Sequence, residues 1–546
     1  MKEVRKTKET LEKPREICYN SSMEKVNMNG LSPEAAAYIS ALERRVDQLT
    51  EMLLKLQKIQ FGQSSEKARY VLASPNQLSF FNEAEACADE TVPEPELVRE
   101  HTRKSKRTKE ELARDLPVKK TVIELPEEER VCGICEGPLV PIGQELVRRE
   151  LNIIPAQAFI EELYRVNYAC QACERETDEA NIVKAPVPEP VVKRGLASPS
   201  SAAHVLYQKF VNAMPLYRQE ADWKNQGVHI TRATLANWII YVCLHWFAPL
   251  YGLLKTQLLA SSVIYADETV IQVLKEDGKT PQSESRMWVY GTGGAGPPPI
   301  ILFEYQPSRA GEHAKRFLTG YTGYLVTDGY IGYASVPDVI HCGCWQHVRR
   351  KWSDAIPKTK NKAGQALEGF EFCQRLFALE RKFANMPPHE RLQERQKQSK
   401  PVLDAYFSWL ETVDPLEGSK LREAVVYSCN QRVPLASFLL DGRIEISNNR
   451  AENAIRPFCV GRKNFLFAAT VHGAQSSALA YSIIETARAN GLNPYQYLLH
   501  LLTLLPSIIA KAQTDQLPRF LPWSSELPDR CRNVLAPAHS SLVNTP

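Results

Sequence analysis

The sequence shows no apolar run that we expect to cross a membrane. Its most apolar stretch, YLLHLLTLLPSIIA, contains His500 and Pro506 and is shorter than the roughly 20 residues that a transmembrane helix needs. The amino-terminal segment MKEVRKTKETLEK has charges but no apolar core behind them, so no secretory signal peptide is expected. Both absences predict a cytoplasmic protein with no membrane segment.

A strong excess of charge of one sign is also missing. The 546 residues carry 67 Lys and Arg against 63 Asp and Glu, a formal charge of +4, so overall charge does not indicate polyanion binding. Charge is instead segregated locally: residues 83–100 carry seven acids and one arginine, and residues 101–120 carry eight Lys or Arg against three acids. Such blocks predict a charged linker over 82–120, whose basic part either touches nucleic acid or is simply solvated.

Disulfides are not expected among the 13 cysteines, because large cytoplasmic chains keep their thiols reduced. Four cysteines form two Cys-x-x-Cys pairs with 34 residues between them: Cys132, Cys135, Cys170 and Cys173. Two such pairs favour one structural, tetrahedral Zn²⁺. We therefore predict a zinc-binding domain over 121–178, with strand-like alternation between the pairs as in a zinc ribbon; the alternative is four buried free thiols.

Residues 32–62 predict one helix with a coiled-coil seam. Apolar residues recur at heptad positions a and d: Ile39, Val46 and Leu53, then Leu42, Leu49 and Leu56. Branched residues at a with leucine at d favour parallel dimers. We expect a homo-oligomer formed through this leucine zipper; the alternative is an amphipathic helix packed on its own chain.

The rest of the chain predicts helices, then strands, then helices. Residues 190–250 favour two helices with a turn between them, a spacing that suits both a helix-turn-helix and a plain helical hairpin. From 258 to 470, three short strands, a helix and further strands predict a mixed α/β domain with a helical insertion at about 350–445. Residues 471–510 predict C-terminal helices, and 522–546 a disordered tail.

Two aspartates follow apolar strand patterns. Asp267 comes after the run VIYA and Asp328 after LVT. Each by itself could simply end a strand, because aspartate is disfavoured in strands. Together they suggest carboxylates at matching heights on neighbouring strands, which lie ~4.8 Å apart. Alternation along the first strand does not decide whether Asp267 or Glu268 faces the second aspartate, since both faces carry apolar residues.

A third carboxylate lies in the segment SNNRAENAIRPF. Ser447, Asn448 and Asn449 are predicted to cap a helix, which would present Glu452 from its first half. Three carboxylates would form an oxygen-rich site for Mg²⁺, and two ions held ~3.5–4 Å apart are a known arrangement for phosphoryl transfer. Arg456, one turn later, is expected to pair with the glutamate or to hold a phosphate.

Basic residues near these carboxylates predict DNA contacts, with solvated surface as the alternative. They are Arg349, Arg350, Lys351, Arg456, Arg462 and Lys463. The neighbouring HCGCWQH segment offers His341, Cys342, Cys344 and His347, but small residues there favour a buried strand over a second zinc site. Trp345 and Trp352 are expected in the core.

Several of these motifs together resemble the DDE transposases of the insertion sequence 66 family. The matching segments are FGQSSEK, CGICEGPL with YACQAC, LYRQE with ITRATLANW, YADET, TDGYIGY, CWQHVRRKW, SNNRAENAIRPFCVGRKNFLF and NGLNPYQYLLHLL. They occur in family order from about residue 39 to 505. The resemblance implies an RNase H-like catalytic domain with a helical insertion. It also implies Asp267, Asp328 and Glu452 as the catalytic triad.

The combined expectation is a multidomain α+β protein: an RNase H-like mixed α/β catalytic core with helical insertion, an N-terminal coiled coil and a zinc ribbon. The resemblance implies a bacterial, nucleoid-associated transposase that binds element ends and catalyses metal-dependent DNA cleavage and strand transfer. Expected cofactors are two Mg²⁺ (or Mn²⁺) ions and one structural Zn²⁺. Expected partners are double-stranded element ends and target DNA, a second copy of the chain, and accessory proteins encoded by the same element. Two alternatives remain: an RNase H-fold nuclease without strand transfer, and a DNA-binding regulator with an inactive core.

Overall fold

The computed structural model describes residues 158–169, 182–293, 296, 298–357 and 364–532, together with Arg45, which is helical. The rest of the predicted coiled-coil helix, the charged linker and the four predicted zinc ligands lie outside the described residues.

A short antiparallel hairpin stands where the zinc domain was predicted to end. Strand β1 (Asn167–Ala169) pairs with β2 (Ile182–Lys184), with Tyr168 opposite Val183. The chain between these strands includes Cys170 and Cys173. Residues 158–166, for which strand-like alternation was predicted, have no regular secondary structure.

The predicted helix–turn–helix pattern is confirmed at the level of its elements. Helices α1 (Pro199–Phe210) and α2 (Leu216–Asn225) precede a turn at Gly227, whose φ is +83°. Helix α3 (Arg232–Val242) starts at the predicted cap, where the Thr231 hydroxyl accepts from the Thr234 N–H. A π-helical turn (Cys243–Phe247) continues into α4 (Ala248–Leu259).

The continuous helix from Arg232 to Leu259 is long and apolar enough, by length and composition, to cross a membrane. Its most apolar window is 44% buried inside the protein. The Trp246 indole, for example, donates to the Val191 carbonyl at 2.7 Å. A buried core helix passes the same test, so this helix is weak evidence for a membrane span.

The predicted mixed α/β domain is built on a mixed sheet. Its strands and first helices are β3 (Val263–Lys275), β4 (Glu284–Thr292), β5 (Ile301–Gln306), α5 (Gly311–Phe317), β6 (Tyr324–Val326), β7 (Ile340–Cys342) and α6 (Trp345–Ala355). The strand order is β5-β4-β3-β6-β7. The pairs β3–β4 and β4–β5 are antiparallel, whereas β3–β6 and β6–β7 are parallel. The long apolar strand β3 is therefore central.

The helical insertion follows α6, as predicted. It comprises α7 (Gln365–Phe383), α8 (Pro388–Glu394), a π-helical turn (Arg395–Ser399), α9 (Lys400–Leu410), α10 (Lys420–Asn430) and α11 (Arg432–Ala436). Trp352 of α6 is fully buried and donates to the Tyr406 hydroxyl at 3.0 Å. Trp345 is equally buried, so the prediction that both tryptophans lie in the core is confirmed.

Three further helices and a short strand complete the domain. They are α12 (Asn449–Phe465), β8 (Ala468–Thr470), α13 (Val471–Ala489) and α14 (Pro494–Ala510). On α13, Ser482 and Thr486 bond the backbone of the edge strand β5: the Phe303 N–H donates to the Ser482 hydroxyl at 2.7 Å, and the Thr486 hydroxyl donates to the Ile301 carbonyl at 2.9 Å. These side chains cover backbone groups that an edge strand would otherwise expose.

Residues 522–532 are packed, and the prediction of disorder for this part of 522–546 is wrong. Leu527 and Cys531 are buried, and the Asn493 N–H donates to the Cys531 carbonyl at 2.8 Å. The polar and proline-rich composition suggested a free tail, but a few apolar side chains anchor it beside the start of α14. Residues 533–546 lie outside the described part of the chain.

Candidate active site

Asp267 lies inside β3, and Asp328 lies in the turn just past the end of the parallel strand β6. In the parallel pairing of β3 with β6, Tyr265 is opposite Val326, and each aspartate is two residues farther along its strand direction. The strands are ~4.8 Å apart, so the matched height predicted from the sequence brings the two carboxylates together.

Asp267 is in an acidic and almost water-free environment. Asp267 is 9% exposed to solvent. Burial raises its pKa well above the usual range, and the charges of Glu268, Asp328 and Glu452 raise it further. The N–H of Glu268 donates to Asp267 Oδ1 at 2.8 Å, which acts in the opposite direction. The carboxylate of Glu452, from α12, therefore lies near Asp267.

Helix α12 carries Glu452 in its first turn, and a side-chain bond to β3 holds the start of that helix. The predicted cap is wrong in its mechanism: Asn448 is the N-cap residue, but its side chain accepts no hydrogen bond from the helix. Its φ and ψ are −86° and 17°, unlike the extended backbone of a typical N-cap. Instead, Asn448 Nδ2 donates to the Ala266 carbonyl at 2.9 Å, directly beside Asp267.

Two further contacts hold the chain entering α12. The Asn448 N–H donates to Cys344 Sγ at 3.1 Å, and the Glu445 N–H donates to the Tyr265 hydroxyl at 3.0 Å. Both partners belong to the strand ends or the loop before α6. Three hydrogen bonds therefore hold the chain just before Glu452, which is 9% exposed.

Glu268 lies on the opposite face of the sheet from Asp267. In the register of β3, β4 and β5, Asp267 shares its row with Val289 and Phe303, whereas Glu268 shares its row with Trp288 and Glu304. Directly opposite residues project to the same face. The Phe303 ring contacts Phe458 of α12 at 6.4 Å between centroids, so the Asp267 row faces α12.

The turn after β6 fixes the position of Asp328. Gly329 has φ +86°, a conformation that glycine adopts without steric cost. Asp328 Oδ1 accepts from the Tyr330 N–H at 2.9 Å, and the Asp328 carbonyl accepts from the Tyr427 hydroxyl at 2.6 Å. Asp328 is half-buried.

His347 is a neighbour of Glu452 that the sequence interpretation missed. Its Nδ1 lies 3.8 Å from Glu452 Oε1, and one ligand atom each from Cys344, His347 and Glu452 lie within 4.8 Å of one another. The spacing Cys344-x-x-His347 could have indicated this, because residues three apart at a helix start share a face. The segment does form β7 and α6, as predicted.

The three carboxylates fit divalent cations on chemical grounds. All are oxygen donors of the kind that Mg²⁺ prefers. Asp267 is buried, and the neighbouring charges with the largest effect on it are acidic. A bound cation would relieve this repulsion. His347 and Cys344 add nitrogen and sulfur donors beside Glu452.

The predicted DNA-binding residues differ in their surroundings. Arg456 and Lys463 are exposed on α12. Arg462 is mostly buried and donates to Thr269 Oγ1 at 3.0 Å and to the Val270 carbonyl, so it links α12 to β3.

Of the three basic residues of α6, two lie against aromatic rings. Arg349 is 5.2 Å from the Phe370 ring centroid, and Lys351 is 5.1 Å from that of Tyr427. Arg350 is half-buried. The cationic groups of Arg349 and Lys351 therefore face the helical insertion.

Family models match four successive segments of the chain. The model described as Transposase IS66 family matches residues 194–476, more than half of the chain. The zinc-finger binding domain of transposase IS66 matches 129–174, a segment that contains all four cysteines of the predicted zinc site. The IS66 C-terminal element matches 482–523, and the model described as Transposase C of IS166 homeodomain matches 48–121.

Relatives of similar length occur in Sinorhizobium fredii (strain NBRC 101917 / NGR234). Uncharacterized protein y4jD is 30% identical over 76% of this chain and 81% of its own length. Uncharacterized protein y4hP is 29% identical over 89% of this chain and 88% of its own length. No solved structure matches the chain significantly. The chain therefore belongs to the insertion sequence 66 (IS66) family of transposases.

Proposed function

We propose that the protein cleaves DNA at the ends of an insertion sequence and joins the freed ends to target DNA. The observation that carries this proposal is the proximity of Asp328 and Glu452 to Asp267 in a chain of the IS66 transposase family. The three residues come from the turn after β6, the helix α12 and the strand β3. The reaction is hydrolysis of a phosphodiester, followed by attack of the resulting 3′-hydroxyl on a target strand.

In this proposal the three carboxylates hold two Mg²⁺ or Mn²⁺ ions. When bound, such ions activate the attacking oxygen and stabilise the leaving oxygen. The chain's own residues orient the carboxylates: Asn448 sets the start of α12, and the Tyr330 N–H orients Asp328. His347 lies where it can orient Glu452.

The order and direction of the strands support an RNase H-like core. Three consecutive antiparallel strands followed by two parallel ones, with β3 central, place the first part of β3 beside β6. The helical insertion then returns the chain to the same edge at α12.

DNA contacts are proposed on the outer face of α12. Arg456 and Lys463 are exposed there and lie on the helix that carries Glu452, so a phosphate bound by them would be close to the carboxylates. Arg349, Arg350 and Lys351 are proposed as secondary contacts, and Arg462 acts chiefly in holding α12. The exposed start of α3, with Arg232 and Asn237, is a further DNA-facing element.

The predicted zinc domain and coiled-coil helix at the amino-terminal end are assigned to DNA binding and to self-association. One Zn²⁺ on Cys132, Cys135, Cys170 and Cys173 would stabilise a domain that binds element ends, and the heptad helix would bring two copies of the chain together. Accessory proteins encoded by the same element remain proposed partners.

The test uses a labelled duplex that carries the inverted repeat flanking the gene, incubated with the purified protein and Mg²⁺. Asp267→Asn, Asp328→Asn and Glu452→Gln should each abolish cleavage, since each removes a metal-ligand charge. Binding of the same duplex should stay near the parental value. Asp404→Asn, at an exposed position on the helical insertion, is the matched control and should cleave normally.

The results separate the alternatives. Cleavage without joining to a target duplex would indicate a nuclease without strand transfer. Binding without cleavage by the parent protein would indicate a regulator with an inactive core. Normal cleavage by all three carboxylate variants would refute the two-metal proposal.

A further inference from the structure

Glu268, the neighbour of Asp267, is a buried carboxylate that the proposed reaction does not use. Its side chain is 2% exposed and lies on the opposite face of the sheet from Asp267. Burying a carboxylate is costly unless it is paired and hydrogen-bonded. Resting on the function proposed above, we propose that Glu268 and Arg309 are positioning residues that set the separation of Asp267 and Asp328.

Both oxygens of Glu268 are held by groups from other parts of the chain. Arg309, in the segment between β5 and α5, approaches Glu268 Oε1 with Nε at 2.6 Å and with Nη2 at 2.5 Å. The Tyr333 hydroxyl donates to Oε2 at 2.7 Å. A carboxylate bonded at both oxygens cannot rotate freely, so the backbone of β3 beside Asp267 is anchored.

Arg309 continues this connection to the turn that carries Asp328. Its guanidinium lies 3.8 Å from the centre of the Tyr330 ring, and the Tyr330 hydroxyl donates to the Arg309 carbonyl at 2.7 Å. The N–H of Tyr330 donates to Asp328 Oδ1 at 2.9 Å. The path Glu268–Arg309–Tyr330–Asp328 therefore joins the two aspartate sites through side chains and the backbone of Arg309 and Tyr330. We call it the Arg309 clamp.

The pairing of β3 with β6 does not reach the aspartates, although Asp267 is paired with Val289 on β4. The parallel pairing of β3 with β6 ends at Tyr265 and Val326, two residues before each aspartate. Beyond that point, repulsion between the two carboxylates would push the turn that carries Asp328 away from β3. The clamp opposes this separation from the other face of the sheet, so it would preserve the spacing that two metal ions require.

The experiment measures metal affinity in the full-length protein. Substituting a residue that orients a metal ligand typically lowers metal affinity or activity by about 10–100-fold. Glu268→Gln and Arg309→Lys should each raise the Mn²⁺ dissociation constant by about this factor, as followed by the electron paramagnetic resonance of free Mn²⁺. Arg309→Lys keeps the positive charge but loses the planar guanidinium, which contacts Glu268 through two nitrogens and stacks on the Tyr330 ring.

A second readout separates positioning from loss of folded protein. For both variants, the Mn²⁺ concentration that half-saturates DNA cleavage should rise by the same factor, while the rate at saturating Mn²⁺ recovers most of the parental value. Loss of folded protein would lower the rate at every Mn²⁺ concentration without moving the half-saturation point. The double variant should be no worse than the poorer single variant, because both changes break one clamp.

The matched control is Glu276→Gln, just beyond the far end of β3. Glu276 is also a little-exposed carboxylate, bonded to Ser285 and Lys279, and its substitution should leave Mn²⁺ binding unchanged. If Glu268→Gln and Arg309→Lys bind Mn²⁺ as the control does, the clamp is refuted. If only Glu268→Gln is impaired, Glu268 is itself a metal ligand, and the positioning role is also refuted.

Two additional variants keep the test decisive. If the clamp variants do not fold, Tyr333→Phe replaces them, because it removes only one hydrogen bond to Glu268. An unchanged Mn²⁺ concentration for half-maximal cleavage in this variant would then refute the clamp. Asp267→Asn tests the underlying function: if it binds Mn²⁺ as tightly as the parent, the proposed metal site fails. Loss of Mn²⁺ in Asp267→Asn with normal clamp variants would overturn the positioning inference alone.

Discussion

At the scale of single residues, Asn448 shows how a side chain typical of helix caps is used for a long-range contact. Its Nδ2 donates to the Ala266 carbonyl, just past the last pair between β3 and β6. Without Asn448, the buried Ala266 carbonyl would lose this hydrogen-bond donor. The bond therefore attaches the helix of Glu452 to the strand of Asp267.

We expect Asn448→Ala to lower both stability and cleavage. Losing the donor to a buried carbonyl costs about 1–3 kcal/mol, which lowers the melting temperature by about 2–4 °C per kcal/mol for a domain of this size. Cleavage should fall as well, since Glu452 loses its anchor. Thermal unfolding and end cleavage measure the two effects.

Asn453→Ala is the control for this prediction. Asn453 lies on the same helix but is exposed, so its removal should change stability by less than about 0.5 kcal/mol. Equal effects of the two substitutions would contradict the assigned role of Asn448.

At the scale of elements, the packing of α6 against α7 depends on a glycine. A Cβ atom on Gly369 would lie 2.4 Å from Trp352 Cδ2, and that tryptophan is fully buried. The two helices are therefore close because residue 369 has no side chain. The start of α6 contacts Asn448 through Cys344, so this packing also supports the site.

The same substitution at two helical glycines should have opposite effects. Gly369→Ala should destabilise the protein by about 1–3 kcal/mol, because an overpacked core must shift. In α4, Gly252 is exposed and a Cβ would meet nothing within 4 Å, so Gly252→Ala should stabilise it by about 0.5–1 kcal/mol. Thermal unfolding of both variants is the measurement, and a stabilised Gly369→Ala would contradict the packing argument.

At the scale of the whole molecule, family segments follow one another from 48–121 through 129–174 and 194–476 to 482–523. The sequence pattern predicts a helical segment at 190–250 that is separate from the catalytic domain. The family model spans both, and the Tyr251 hydroxyl of α4 donates to the Phe303 carbonyl of β5 at 3.1 Å. These helices therefore form part of the support of the sheet.

We expect about one tightly bound zinc ion per chain, released in Cys170→Ser. A four-cysteine site loses tetrahedral coordination when one thiolate is removed. Elemental analysis of the purified protein provides the measurement, and end-specific DNA binding should weaken in the variant while sequence-independent affinity persists. Cys429→Ser, at an exposed free cysteine of α10, should retain the metal. A parent protein without zinc would refute the site.

The sequence by itself determined the order of the elements and the position of Asp328 just past a strand, but not that β3 continues through Asp267 to Lys275. Those features depend on local periodicity and on turn residues such as Gly227 and Gly491, which adjacent sequence specifies. The element pattern from β3 to α6 and the helical insertion agree with the prediction for this reason. The family resemblance, confirmed by the family models, rests on the same short motifs.

Only the tertiary structure decided which of two adjacent acids faces the helix of Glu452. Alternation puts Asp267 and Glu268 on opposite faces, but cross-strand register and helix packing determine what covers each face. The bond from Asn448 to Ala266 and the burial of Cys531 have the same origin. Each depends on residues that are distant in sequence and adjacent only after the sheet and its helices have packed, so no local pattern encodes them.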